Sequence, residues 1–253
     1  MRSFILSESN WKTLKNKMIE LAVLPWGATE AHNYHLPYGT DNYETEKIAA
    51  EAARRAVENG ARLIVLPAIP FGVNTGQTDI RFDINMNPST QFAILKDIAA
   101  SLVSHGVRKF LILNGHGGND FRQMIRELGT LHSNMFISTC DWFRAVEISH
   151  YFEKEGGHAD EMETSLMQYL VPELVLPLGE AGKGEAKKFR INAFNEKWAW
   201  AERKWSQVTA DTGVGDPSAA TPEKGEKYFD AVVKKISQLF VDLSAADIDD
   251  MYV

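Results

Sequence analysis

The sequence has one cysteine, Cys140, among its 253 residues. A single thiol excludes a disulfide within the chain and indicates a reducing compartment. No stretch approaches the ~20 consecutive apolar residues of a membrane span, and the N-terminal residues lack the apolar core of a secretion signal. We therefore expect a cytoplasmic protein that does not associate with membranes.

Basic residues are also in short supply. The 27 lysines and arginines are outnumbered by 34 aspartates and glutamates, which gives a net charge of −7. Nucleic acids and anionic membranes both attract basic surfaces, so this balance argues against either partner. Hydrophobic residues make up 44% of the chain, enough to bury a sizeable core. The length allows one large domain or two small ones, and we expect a single domain over residues 1–253.

What the sequence does contain is a repeated pattern of apolar strand, turn and amphipathic helix. Strands are predicted at residues 19–25, 63–66, 109–114 and 135–138, and helices at 43–57, 88–104, 159–170 and 228–240. Nearly continuous apolar strands that alternate with helices indicate an α/β fold whose parallel sheet is covered on both faces. Sheets of this kind bind ligands beyond the carboxyl ends of their strands.

A cluster of acidic residues and histidines follows the first predicted strand. Glu30, His32, His35 and Asp41 lie within the segment GATEAHNYHLPYGTD. Isolated charges at the end of a buried strand are strongly disfavoured unless they pair or bind a metal ion. Imidazole nitrogens and carboxylate oxygens without a thiolate suit zinc, manganese or iron. The cluster therefore predicts a site for a divalent ion such as zinc, manganese or iron.

The glycine-rich segment 114–119, NGHGGN, directly follows the third predicted strand. A phosphate-binding loop is one interpretation, because glycines let the backbone approach an anion at a helix N-terminus. The spacing matches neither the dinucleotide fingerprint nor the P-loop, and no lysine follows it. The alternative is that His116, flanked by glycines, projects towards a metal ion. The pattern alone leaves both interpretations open.

A third polar group lies at the start of the helix predicted over residues 159–170. Carboxylates are ordinary at this position because the helix dipole favours negative charge, and we assign Asp160 and Glu161 to that structural role. His158 and Glu163, five residues apart, are candidates for an acid and base or for a last metal ligand.

These segments together resemble the signature blocks of the creatininase (creatinine amidohydrolase) family. GATEAHNYHLPYGTD, LNGHGGN and HADEMETSLM occur in the family's order, and TGVGDPSAATPEKGEKYF resembles its C-terminal block. The resemblance implies a three-layer α/β/α sandwich with a mostly parallel central sheet. It also implies a homo-oligomer, often a hexamer, and a centre of two metal ions that hydrolyses cyclic amides or related C–N bonds.

The resemblance also assigns metal ligands. Glu30, Asp41 and His116 match one metal position of the family. His32 matches the other position, and Asp41 would bridge the two ions.

One residue departs from that pattern. In creatininase a glutamate two residues after the histidine of the glycine-rich segment completes the second position, and in this chain Gly118 stands there. We expect Glu163 to take its place, and the chain to bind one or two ions accordingly. Glu163 or His158 would pass a proton to the leaving nitrogen, and His35 would orient a ligand.

The resemblance favours metal-assisted hydrolysis of a C–N bond in a small cyclic amide or formamide. Creatininase activity itself is not expected, because Gly117 replaces a tyrosine beside the substrate and the loop after the second strand diverges. That loop contributes candidate substrate contacts, namely Asn74, Thr75, Gln77 and Arg81. The alternatives are ring opening of a cyclic keto-sugar of the inosose type and a metal-binding oligomer without catalysis.

The remaining distinctive residues have plainer interpretations. His105, His132 and His150 lie near helix ends and are not expected to bind metal. Cys140 is expected in the core. The aromatic residues between Phe194 and Trp205 form either a subunit-interface arm or a lid over the site. We favour the interface, because aromatics are enriched there.

Overall fold

A four-stranded sheet forms the centre of the protein. The computed structural model describes residues 2–154 and 156–253. The strands are β1 (Leu21–Trp26), β2 (Leu63–Val65), β3 (Lys109–Asn114) and β4 (Phe136–Asp141). They lie in the order β2-β1-β3-β4, and every neighbouring pair is parallel. Parallel neighbours require crossover connections, which helices provide in this fold. The predicted α/β fold is confirmed.

The helices are α1 (Trp11–Leu14), α2 (Thr40–Glu58), α3 (Pro88–Ser104), α4 (Arg122–Leu131), α5 (Glu161–Leu170), α6 (Asn192–Asn195), α7 (Trp205–Val208) and α8 (Pro222–Ala245). A two-stranded antiparallel sheet pairs β5 (Gly156–His158) with β6 (Val214–Gly215). α8 begins earlier than predicted because Thr221 caps it, accepting a hydrogen bond from the Lys224 N–H, and Pro222 opens its first turn. Among the described residues, no helix has the length and apolar character needed to cross a membrane.

Successive strand residues face opposite sides of the sheet, and both sides are buried. One face packs against α2, α5 and α8, and its strand residues include Leu21, Val23, Leu111 and Leu113. The other face packs against α3 and α4, and its strand residues include Ala22, Leu24, Phe110 and Ile112. The three predicted layers are therefore present.

Cys140 is less buried than predicted. It lies on β4, the edge strand next to β3, where most residues are half-buried. Its partly buried side chain packs against the edge of the core that α2 and α8 form with the sheet. Burial raises the pKa of its thiol to about 11, with a smaller contribution from Asp141, so the thiol stays protonated at neutral pH.

The strand order reverses between β1 and β3. From β1 the chain moves to β2 on one side, while β3 lies on the other side. The crevice beyond the carboxyl ends of two such strands is the usual ligand site of an open α/β sheet. The segments that follow β1 and β3 are the two that carry the first predicted polar clusters.

Candidate metal centre

Four segments bring their polar side chains together beyond β1 and β3. They are the loop after β1, the first turn of α2, the loop after β3, and the stretch from β5 into α5. The side chains that meet there are Glu30, His32, Asp41, His116, His158 and Glu163. All are buried except Glu163, whose side chain is 14% exposed. The structure therefore assembles every residue that the sequence proposed as a ligand or proton carrier.

The first group of donor atoms comes from Glu30, Asp41 and His116, which lie within 4.8 Å of one another. Nδ1 of His116 lies 3.0 Å from Oε1 of Glu30 and 2.9 Å from Oδ2 of Asp41. The opposite ring nitrogen, Nε2, lies 3.0 Å from the carbonyl oxygen of Val73.

The second group comes from His32, Asp41 and Glu163. Nε2 of His32 lies 3.0 Å from Oδ1 of Asp41 and 3.9 Å from Oε2 of Glu163. Its Nδ1 lies 3.0 Å from the carbonyl oxygen of Glu30. Asp41 thus presents one oxygen to His32 and the other to His116, the arrangement that a bridging carboxylate requires.

His158 forms a third group with Glu30 and His32. Its Nδ1 lies 3.8 Å from Oε1 of Glu30, and its ring lies 4.1 Å from that of His32. Its Nε2 lies 2.8 Å from the carbonyl oxygen of Ala31. Ala159, the next residue, has a left-handed backbone with φ of 50°, and its N–H donates to Oε2 of Glu163. That turn aims His158 and Glu163 at the same space.

The three histidines share one feature with histidines that bind metal ions. In each ring one nitrogen faces a backbone carbonyl, which can only accept a hydrogen bond, so that nitrogen carries the hydrogen. In the neutral ring the inner nitrogen is then a bare lone pair, and it faces carboxylate oxygens. Lone pairs and carboxylates repel one another unless a proton or a cation lies between them. Metal-binding histidines are oriented in this way, so the residues fit a divalent ion.

The pKa values of the histidines and carboxyl groups also indicate that the site favours positive charge. Burial alone would lower the pKa of His32, but Asp41, Glu163 and Glu30 outweigh it and raise that pKa to about 10. The pKa of His116 is raised well above its ordinary value against the same effect of burial, by Glu30 and Asp41. Burial would raise the pKa of both carboxyls, yet the histidines hold each below its ordinary value. The electrostatics of the site favour positive charge, which either protons or a metal ion could supply.

Gly118 is a glycine because a side chain has no room there. A Cβ at this position would lie less than 3.0 Å from the carbonyl oxygen of Val73 and 2.5 Å from Nε2 of His116. The loop that contains Val73 occupies the place of a side chain, and its carbonyl orients His116 instead. A glutamate at position 118 would displace this loop. The second group of donor atoms includes Glu163, the residue that the sequence proposed as the replacement.

Two residues that the sequence did not assign to the metal centre contact it. Gln77, predicted only as a substrate contact, donates from Nε2 to Oε2 of Glu30 at 2.5 Å. Asp83 accepts a hydrogen bond from the Ala31 N–H at 2.7 Å and so fixes the loop between Glu30 and His32. Both come from the irregular segment after β2, where no periodicity indicates which side chains turn inward.

The other candidate substrate contacts in the loop after β2 differ in how far they are buried. Asn74 is buried, whereas Thr75 and Arg81 are exposed. The Arg81 guanidinium stacks over the ring of Phe82 at 4.9 Å.

His35 is buried, but it does not belong to any of the three groups. Its Nε2 lies 2.9 Å from Oγ1 of Thr164 on α5. Burial and repulsion from His32 lower its pKa to about 4, so it stays neutral at physiological pH. It therefore contacts α5 rather than one of the proposed ligands.

The residues assigned to structural roles occupy them. Asp160 caps α5 by accepting from the N–H groups of Met162 and Glu163. Glu161 pairs with Lys224 of α8, 2.6 Å away. The three histidines not expected to bind metal lie outside the donor groups, at the ends of α3 and α4 and in a short 3-10 turn: His105, His132 and His150.

The aromatic segment separates into two parts. Trp205 is buried, and its ring meets that of His158 edge-on at 5.4 Å, so this residue covers the site. Trp198 and Trp200 are 76% and 82% exposed and point away from the core. A hydrogen bond connects the segment around Trp205 to the loop after β2: Ser206 donates to the carboxylate of Asp79 at 2.6 Å.

The fold is a parallel α/β sheet, and buried histidines and carboxylates that could hold a metal ion lie beyond its switch point. Residues 7–240 match the profile of the creatininase family, described as creatinine amidohydrolase. The chain belongs to this family of hydrolases.

The chain is similar to several known proteins. A Bacteroides fragilis protein, crystallised as a candidate creatinine amidohydrolase, is 46% identical with a TM-score of 0.93, over 98% of this chain and 99% of that one. The 3-dehydro-scyllo-inosose hydrolase of Thermotoga maritima is 24% identical, over 90% of this chain and 78% of the relative. Two creatininase structures share the fold. The one named as a zinc form is 20% identical with a TM-score of 0.78, and the one named as a manganese form is 21% identical with a TM-score of 0.76. Each match extends over 96% of this chain and 99% of the creatininase chain.

Proposed function

We propose that the chain is a metal-dependent amidohydrolase that cleaves the C–N bond of a small cyclic amide or formamide. The observation that carries the proposal is the set of three histidines whose outer nitrogens donate to backbone carbonyls while their inner nitrogens face carboxylates. Family membership supplies the reaction class, since the family is described by hydrolysis of an amide.

Glu30, Asp41 and His116 would hold one ion, and His32, Asp41 and Glu163 a second. A divalent ion held there would supply Lewis-acid chemistry: it would make hydroxide available near neutral pH and would polarise the carbonyl of the substrate. Zinc is our first choice and manganese or iron the alternatives, because these ions accept mixed imidazole and carboxylate donors. The zinc and manganese forms of the creatininase relatives support that choice.

In C–N hydrolysis water adds to the carbonyl carbon, the C–N bond breaks, and a proton from the water moves to the leaving nitrogen. His158 and Glu163 are the proton carriers that we propose, because both face the centre from one turn of the chain. The hydrogen bond of His158 to the Ala31 carbonyl fixes its ring, and Trp205 limits the access of water from that side.

Ring opening of a cyclic keto-sugar is the second candidate function. The Thermotoga maritima relative favours it, because that hydrolase acts on an inosose and its match extends over 90% of this chain. The same ions would polarise a ketone as they polarise an amide carbonyl.

We also propose that the protein forms a homo-oligomer through the exposed part of the aromatic segment. Trp198 and Trp200 present large apolar rings to solvent, and aromatic residues are enriched at subunit interfaces. Sedimentation of the wild type beside a Trp198→Ala, Trp200→Ala double variant tests this, since the variant should dissociate if the rings form the interface.

Elemental analysis of the purified protein is the first test of the function, followed by turnover of an amide and keto-sugar panel with and without chelator. One or two ions per chain, with chelator-sensitive release of an amine, supports the proposal. Chelator-sensitive ketone opening without amide cleavage supports the second candidate. Bound metal without any turnover would indicate a metal-binding oligomer that lacks catalysis, and no metal after soaking with zinc or manganese would refute the central claim.

A further inference from the structure

Glu44 is a buried acid with no partner. It lies on α2 one turn beyond Asp41, and its side chain is fully buried. Among the residues that the structure describes, neither of its carboxyl oxygens has a hydrogen-bond partner. A buried carboxyl group without a hydrogen bond is strongly unfavourable, whether it is charged or neutral. A water molecule or an ion would provide the interaction that the described residues do not.

The surroundings of Glu44 are acidic. The groups that act on it electrostatically are Glu163, Asp41 and Asp160, and together with burial they raise its pKa well above the ordinary value. Two of these three are proposed metal ligands. Positions three and four residues apart lie on one side of a helix, so Asp41 and Glu44 face the same interior.

Packing gives no reason for an acid at this position. The same buried face of α2 continues with Ile48, Ala49 and Ala52, which are fully buried and apolar. An apolar side chain in place of Glu44 would remove the desolvation cost at once. A residue that breaks the local pattern at such a cost is a candidate for function.

We propose that Glu44 is the additional carboxylate of the second metal position, where it raises the affinity for the ion held by His32, Asp41 and Glu163. Gly118 supplies no carboxylate to this second position, so Asp41 and Glu163 are its acidic donors, and Glu44, which interacts electrostatically with both, adds negative charge. Glu44 is not among the donor atoms that already lie within 4.8 Å of one another. It is therefore a positioning residue, which acts through its charge and through the groups around the ion. This inference rests on the proposed metal-dependent function.

The test is a calorimetric titration of metal-depleted protein with zinc and, separately, with manganese. Elemental analysis after gel filtration then counts the ions that remain bound to each chain. Glu44→Gln keeps the volume of the side chain and mimics its uncharged form. We expect the affinity for the second ion to fall by about 10–100-fold, as for other residues that support metal ligands, while the first ion binds as in the wild type. Glu46→Gln is the matched control, because Glu46 lies two residues further on the exposed side of the same helix.

Glu44→Leu keeps the test decisive if the amide disturbs folding. If Glu44 is only an uncharged core group, leucine should raise the melting temperature and leave both ions bound, which would overturn the inference. Loss of the second ion in both variants, with native circular dichroism, would support it. A wild type that binds a single ion would also overturn it, whereas a wild type that binds none would refute the proposed function itself.

Discussion

Replacing Gly118 with alanine tests how His116 is held. The added Cβ would lie less than 3.0 Å from the Val73 carbonyl oxygen and 2.5 Å from Nε2 of His116. The carbonyl belongs to the backbone, so the loop around Val73 must move, and its 3.0 Å hydrogen bond with His116 is then lost. One methyl group therefore disturbs both the packing and the orientation of a proposed ligand.

The size of the effect follows from three contributions. Overpacking costs about 1–3 kcal/mol of unfolding free energy. A lost hydrogen bond costs about 1 kcal/mol. The lower backbone entropy of the unfolded alanine variant returns about 0.4–1 kcal/mol. We expect a net loss of roughly 1–3 kcal/mol, which lowers the melting temperature of a protein of this size by roughly 3–10 °C. Metal affinity should fall by about 10–100-fold, because the carbonyl orients the ligand.

Gly117→Ala is the matched control, since a Cβ there meets no heavy atom within 4 Å. Thermal unfolding with and without added zinc, and zinc titration of metal-depleted protein, compare the two variants. If Gly118→Ala melts and binds zinc like Gly117→Ala, the Val73 loop does not position His116, and steric exclusion by that loop does not explain the missing glutamate.

Other changes test the ligands and the cover of the site. Asp41→Ala should remove both ions because Asp41 faces both groups, whereas Glu163→Ala should spare the first ion; equal loss by elemental analysis would show that the ligand division is wrong. Zinc binding near pH 7 should release protons, because carboxylates raise the pKa of His32 to about 10 and the metal must displace that proton. Calorimetry in two buffers of different ionisation enthalpy measures the release, and a value of zero would contradict it. For the same reason zinc affinity should fall steadily as the pH is lowered below about 10, and an affinity that stays unchanged between roughly pH 8 and roughly pH 5 would count against His32 and His116 as ligands. Trp205→Ala should lower kcat more than metal content, because its ring contacts His158 rather than a carboxylate ligand.

The strand and helix pattern was sufficient to predict the layered fold, because burial on both faces of a parallel sheet produces short apolar runs that differ from amphipathic helices. β3 begins and ends at the predicted residues, 109 and 114. The sequence also indicated that Glu30, His32, Asp41 and His116 would meet, since the carboxyl ends of neighbouring strands share one edge of the sheet. The sequence did not predict how the segment after β2 contacts the centre, because Gln77 and Asp83 turn inward there without a periodic pattern.

Periodicity also could not separate Asp41 from Glu44, although they differ in what surrounds them. Both lie on the buried side of α2, but Asp41 is in the first turn, where the helix dipole favours a carboxylate, and two histidines face it. Glu44 lies one turn deeper, beyond the reach of that effect and among other acids. The same kind of side chain thus has a partner at one position and none at the next, which only the folded chain reveals. The acid without a hydrogen-bond partner among the described residues points to positive charge nearby, and the affinity of the Glu44→Gln variant for a second ion decides whether a metal supplies that charge.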